Sequence, residues 1–257
     1  MEPDTHSSRK TIDKAMRVLT AFSSEHPELA IGELSARLGL HKSVTSRLVS
    51  ALCDWGMLER NPQSQRVRIG EAAFRIGSLF SPRDHLVRVA APHMDALVAA
   101  TGQSNHLTVL DGHRFLVVAT VESPSALRVI MRLGERRPLH ATAAGKLFLA
   151  ASDALLDAVA AAPMEAFTPH TPATPAKLRK AVALVHRQGI AWNTGESSIG
   201  AGAVAAPVYD RSGRMIAALS TVYPLQVVSG PALARVGDAT RAAARKISQE
   251  LGAEPQP

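Results

Sequence analysis

Between residues 31 and 69 the apolar positions change rhythm twice. Ile31, Leu34, Leu38 and Leu40 recur at helical spacing until Gly39 interrupts them. From His41 a second helix is predicted, with Val44, Leu48, Ala51 and Leu52 at i, i+4, i+7 and i+8 as its apolar face. Gly56 ends it, and two short extended stretches then flank Asn61-Pro62-Gln63-Ser64-Gln65, which has the composition of a turn. Helix, glycine turn, helix and hairpin in this order outline a winged helix-turn-helix. The polar side of the second helix carries Lys42, Ser43, Thr45, Ser46 and Arg47 within its first turns.

A recognition helix enters the major groove with its N-terminal residues against base edges. Arg47 is suited to a two-pronged contact with guanine, and Ser43, Thr45 and Ser46 to bases or phosphates. Arg60 at the base of the hairpin, with Arg66 and Arg68 on it, is placed for backbone phosphate or the minor groove. A helical hairpin with a merely solvated face shares the period. The coincidence of period, glycine turn and hairpin in one short stretch favours DNA.

The rest of the chain predicts an α+β architecture. Residues 11–23 form an amphipathic helix, with Ile12, Ala15, Met16, Leu19 and Phe22 expected to complete the first core. Residues 71–80 read as a connecting helix broken at Ser81-Pro82, because proline restricts the residue before it. The expected domains are therefore 1–70, a linker at 71–82, and 83–257. A long helix over 83–101, interrupted at Pro92, opens the second domain. Strands are expected at 106–110 and 115–121 around Asp111-Gly112, then at 126–133. Helices follow at 143–151, 152–162 and 175–188, a second hairpin at 203–209 and 215–222, and a last helix at about 230–251. The strands should pair mainly antiparallel.

Composition narrows the function. A chain of 257 residues with 46% hydrophobic content supports two cores. No apolar run approaches the roughly 20 residues of a membrane span. The polar start, MEPDTHSSRKT, lacks a signal-peptide apolar region, and the single Cys53 allows no internal disulfide. A cytoplasmic protein with no membrane partner is expected. The net charge of +7 points to a polyanionic partner, but its distribution is informative. Residues 1–80 hold 11 Lys+Arg against 9 Asp+Glu, a net of +2, and the remainder holds 18 against 13, a net of +5. DNA binding would therefore depend on where cations point and on a second copy, not on bulk charge.

Together, TIDKAMRVLTAF, LGLHKSVTSRLVSAL, RVRIG, GERRPLHATAAGKLFLA and RQGIAWNTGESSIGAGAVAAPVYDRSGRMIAALST resemble the IclR-type bacterial transcriptional regulators over almost the whole chain. The resemblance implies a winged helix-turn-helix, a linker helix, and a C-terminal effector domain of GAF/profilin-like form that binds a small molecule. It also implies a homodimer, with dimers of dimers common, on pseudopalindromic double-stranded operator DNA.

The effector domain has its own chemistry. In His140-Ala-Thr-Ala-Ala-Gly-Lys146, Thr142 is a helix cap, and the helix start beyond it offers free N–H groups to a carboxylate. Ala143 and Ala144 would let a ligand approach that backbone, whereas Gly145 alone reads as tight packing. The resemblance adds Asn193, Ala203, Ser220 and Val222 as ligand-facing positions, and Asn105 and His106 as further pocket wall. Relatives that bind small keto acids tend to carry an acid near Asn193 and a hydroxyl near Val222. Asn and Val here imply a larger or less polar effector, an organic acid or amide with an apolar or aromatic body.

No catalytic residue, cofactor or metal is expected. No histidine pair has ligand spacing, Glu196 has no accompanying nucleophile, and His140 and Leu147 stand where a phosphate loop needs Gly and Ser or Thr. Cys53 reads as a small buried thiol, and Arg132, Arg136 and Arg137 as a solvated run. The alternatives to a ligand-responsive regulator are a DNA-binding protein whose second domain only oligomerises, and an α/β enzyme on a DNA tether.

Overall fold

The computed structural model describes residues 5–23, 26–78 and 84–254. They fall into two compact units, divided in sequence between residues 82 and 83. The expected proline break at Ser81-Pro82 lies outside the described residues.

In the first unit the order is α1 (Thr5–Leu19), β1 (Glu28–Leu29), α2 (Ile31–Leu38), α3 (Lys42–Asp54), β2 (Leu58–Arg60), β3 (Val67–Ile69) and α4 (Glu71–Ser78). Gly39 ends α2 at φ 63°, a left-handed conformation that glycine adopts without a Cβ penalty. The predicted hairpin is β2–β3, and β1 adds an unanticipated third strand to the β1-β3-β2 sheet. At two residues, β1 is too short to leave a periodic signature.

Val18, Leu29, Leu34, Val49, Leu58 and Val67 form the core. Both predicted helix faces were rotated from the real ones. On α1, Val18 is buried while Ile12 and Met16 are exposed, because the apolar arc is wider than the core beneath it. On α3 the buried pair is Thr45 and Val49, one turn apart, while Ala51 is exposed. Cys53, expected to be buried, is half-buried.

The second unit runs α5 (Asp84–Thr101), β4 (Ser104–Asp111), β5 (Arg114–Val121), β6 (Arg136–Pro138), α6 (Ala143–Ala150), α7 (Asp153–Ala161), α8 (Pro175–Gln188), β7 (Ala191–Thr194), β8 (Ala201–Tyr209), β9 (Met215–Pro224) and α9 (Gly230–Glu250). Its six strands make one antiparallel sheet in the order β6-β5-β4-β9-β8-β7. Alternation along the strands sends Leu107, Val109, Leu219 and Tyr223 to the face under α5 and α9. Phe115, Val117, Ala205 and Ala218 go to the face covered by α6, α7 and α8. The strand expected at 126–133 does not form. Leu127, Ile130 and Leu133 are exposed, and Arg136–Pro138 pairs with β5 instead. An apolar run without a buried face does not make a strand. Among the described residues no helix is long and apolar enough to cross a membrane.

The start of α6 is pressed against the chain leading into it. A Cβ built on Gly145 would lie 2.1 Å from the Leu139 carbonyl oxygen, so backbone would have to move. Gly145→Ala should destabilise the second unit by about 1–3 kcal/mol, the usual range for overpacking. Thermal denaturation followed by circular dichroism checks this; an unchanged transition would show that the approach is not tight.

Candidate functional site

Two sets of side chains matter, one in each unit. On α3, Lys42, Ser43 and Arg47 are exposed, Ser46 is half-buried, and Ser50 extends the same face by one turn. Thr45 departs from expectation. It is 0% exposed and its hydroxyl donates to the His41 carbonyl at 3.3 Å, so it is a core residue and does not reach DNA. A threonine that returns its hydroxyl to the helix backbone substitutes for an apolar residue, which sequence polarity cannot reveal.

The wing cations are held by acids. Arg66 donates to the Glu33 carboxylate at 2.6 Å and to the Glu28 carbonyl at 3.2 Å, tying β3 to β1 and α2. Hydrogen bonding from the Ala30 amide, with Arg66 second, holds the Glu33 carboxyl below its ordinary range. Arg68 pairs with Glu59 and Glu28. Such exposed pairs are weak, so phosphate can compete for both arginines. Arg60 is exposed. At the wing tip the Asn61 side chain accepts from the Gln63 and Ser64 amides, and Gln65 takes φ 56°. This turn presents Gln63, Ser64 and Gln65 to solvent beside the predicted cations.

In the second unit, Thr142 caps α6 by accepting from the Gly145 amide at 3.2 Å, which leaves the first-turn amides of Ala143 and Ala144 uncapped by that side chain. The sheet face beneath α6 carries His106, Ser220 and Ala205 side by side on β4, β9 and β8, with Val222, Ala203 and Asn193 in the next row. All but Ala203 are buried. Two polar atoms of this set, His106 Nδ1 and Ser220 Oγ, are buried without any hydrogen-bond partner. Orphans of this kind are rare because each forfeits its hydration, and two neighbouring ones call for an explanation. Burial pushes the His106 pKa down to about 4, with Glu135 opposing the shift and Arg137 adding to it, so the imidazole there is neutral.

Asn105 and Asn193 do not fit their expected roles. Asn105 follows the alternation to the opposite face, where its Nδ2 donates to the Met94 carbonyl of α5 at 2.8 Å. It therefore cannot share a chamber with His106. The amide of Asn193 is engaged at both ends: Nδ2 donates to the Ala141 carbonyl and to Ser197 Oγ, and Oδ1 accepts from the Glu196 amide. It fastens the loop after β7 to the start of α6. Lys146 and Glu196 do the same more strongly, with Nζ 2.6 Å from both carboxylate oxygens and Lys146 only 4% exposed. Burial lowers the Lys146 pKa and Glu196 opposes the shift. Sequence reading set Glu196 aside as a catalytic carboxylate but did not find its partner, fifty residues away.

With this geometry in view, the comparisons are decisive. Residues 81–249 match the family described as bacterial transcriptional regulator IclR, C-terminal, and residues 11–62 match the IclR helix-turn-helix domain. The chain belongs to the IclR family. It is similar to the transcriptional regulator XynR of Escherichia coli, 31% identical over 95% of this chain and 97% of that one. It is similar also to KdgR of Dickeya chrysanthemi, 30% identical over 98% of this chain and 82% of that one. Among solved structures it resembles an IclR homologue of Microbacterium hydrocarbonoxydans complexed with 4-hydroxybenzoate, with TM-score 0.82, 28% identity, and 94% and 98% of the two chains covered. As an IclR-family member it is a helix-turn-helix, ligand-responsive transcriptional regulator, and the enzyme alternative falls away. The antiparallel effector fold expected for it is also that of its structural neighbours.

Two outcomes are expected. Arg47→Ala should weaken specific DNA binding by about 1–3 kcal/mol if it reads a base. Thr45→Val should leave the footprint intact and change only stability, by about 1 kcal/mol. Footprinting and thermal denaturation of the same two variants separate the effects. The buried imidazole makes the second unit sensitive to acid. Free histidine titrates near 6.5 and His106 near 4, so as pH falls through 6.5 the unfolded chain takes a proton that the folded one refuses. Stability is full above pH 6.5 and declines toward pH 4, by at most roughly 3 kcal/mol. Urea titrations across that window should show a smaller decline in His106→Gln; equal declines would remove His106 as the cause.

Proposed function

We propose that this regulator binds as a homodimer, placing two α3 helices in successive major grooves of a pseudopalindromic operator. In the cytoplasm, its operator affinity would be set by an aromatic monocarboxylic acid held under α6. The observation that carries the effector reading is the adjacent pair of buried, unpartnered atoms, His106 Nδ1 and Ser220 Oγ, on the face below the α6 start. A carboxylate suits the Ala143 and Ala144 amides at the positive end of α6. A hydroxyl or second oxygen suits His106 and Ser220. Val222, Ala203 and Ala205 offer an apolar floor for the ring between them. Lys146, on the same helix, is already paired with Glu196, so the first-turn amides are the donors offered to the carboxylate. The hydroxybenzoate carried by the Microbacterium homologue has this distribution of groups.

Dimer formation is supported by apolar side chains left in water in the first unit. Ile12 and Met16 on α1 and Phe74 and Ile76 on α4 are all more than half exposed. Such residues gathered in a small domain usually mark a partner surface. Two copies would also multiply the modest charge of one DNA-binding unit.

Because the pocket residues are buried, a ligand must part α6 from the sheet, and so binds two arrangements of the protein unequally. A coupling of about 1–3 kcal/mol changes operator affinity some 5- to 150-fold. The test is a gel-shift titration on DNA flanking the gene, with 4-hydroxybenzoate added, beside a melting curve with the same acid. A raised melting temperature and altered operator affinity, both lost in Ser220→Val, are the expected result. No response to any of a panel of aromatic acids would overturn the effector assignment and leave the family-level function standing.

A further inference from the structure

The surplus positive charge of the second unit is used by neither site above. Much of the cationic charge there is locally balanced: Arg128, Arg136, Arg137, Lys146, Arg179 and Arg214 each face a carboxylate at ion-pairing distance. Among the described residues, Arg187, Arg241 and Arg245 do not. They line one cleft of about 490 Å³ between the C-terminal turn of α8, the outer half of β8, and α9. Among the described residues, one carboxylate, Glu254, also lines it and forms no ion pair with them.

The arrangement is specific in ways that a scattered basic surface is not. Arg241 and Arg245 stand one turn apart on α9, where like charges repel. The Arg241 Nη2 donates to the Gln188 carbonyl at 3.0 Å, which fixes the guanidinium and covers a carbonyl at the end of α8 that would otherwise disfavour an anion. Its other N–H groups have no acceptor among the described residues. Arg187 and His186 approach from the last turn of α8, and Tyr209 and Gln249 add donors. Burial raises the Tyr209 pKa, so its hydroxyl keeps its proton.

We propose that this cleft is a second ligand site, separate from the α6 pocket, and that it takes a small phosphorylated molecule. Guanidinium forks match phosphate oxygens, and three of them against one carboxylate among the described residues favour a multiply charged anion. The volume is that of a metabolite site, and the walls are concave, unlike a surface that tracks DNA.

Calorimetric titration of the full chain with inorganic pyrophosphate tests this, with ionic strength held constant by sodium chloride. Saturable binding at one site per chain is expected. It should weaken at least tenfold in the double variant Arg241→Gln/Arg245→Gln but not in the charge-matched Lys180→Gln/Arg235→Gln. Both variants should melt as the parent does without ligand and keep their response to 4-hydroxybenzoate. No heat beyond the chloride control, or equal weakening in both double variants, would overturn the proposal as diffuse attraction only. A flattened salt dependence of operator binding in Arg241→Gln/Arg245→Gln, with pyrophosphate binding unchanged, would reassign the arginines to DNA and overturn it too.

Discussion

The buried Lys146–Glu196 ion pair is the constraint on which the effector domain depends. Taking both charges from water carries a desolvation penalty of several kcal/mol per ion, which attraction offsets only when the geometry is close and the partners are fixed. The geometry is close here: one ammonium faces both carboxylate oxygens at 2.6 Å. The pair therefore contributes position more than stability. It pins the first turns of α6 to the loop after β7, and Asn193 repeats the connection through Ala141 and Glu196. Thr168 and Thr171 hold the same loop from its other side by donating to the Gly195 and Glu196 carbonyls. What results is a helix start fixed above a sheet, with the nearby Glu196 carboxylate already paired to Lys146.

The same economy shapes the DNA-binding unit. Its cations are few, and Arg66 and Arg68 serve the wing's internal structure before they serve any phosphate. Arg17 likewise donates to the Leu38 carbonyl at the end of α2. The exposed face of α3 thus carries little general attraction for a polyanion. In the proposed dimer, selectivity would come from a few base-edge contacts doubled by symmetry, not from charge.

The order of elements was legible because each had a strong local cause. Gly39 and Gly56 stop helices, Thr142 caps one, Pro175 starts one, and Asp111-Gly112 turns a hairpin. Faces were less legible. Periodicity located helices α1 and α3 but misaligned their buried sides, since Ile12, Met16 and Ala51 are apolar without being core, and Thr45 is core without being apolar. For the proposed pocket, family likeness named positions on β4, β7, β8 and β9. It could not see that one-residue alternation puts Asn105 behind the sheet, nor that Asn193 is engaged in bracing. Those facts depend on contacts between residues far apart in sequence, as do the Lys146–Glu196 pair and the arginine cleft.

The floor under α6 has a consequence for how such a protein diversifies. Ala203, Ala205, Ala218 and Ser220 are small side chains standing in one patch of an otherwise bulky sheet, on strands whose other face holds Val204, Ala206 and Leu219 in the main core. A change of size at any of the four alters the room beneath the helix while the opposite face, the strand register and the hydrogen-bond ladder stay as they are. If the proposed effector site is right, chemical preference would be set largely by this patch, and a lineage could move from one metabolite to another through single substitutions there, each at the packing cost of a buried position.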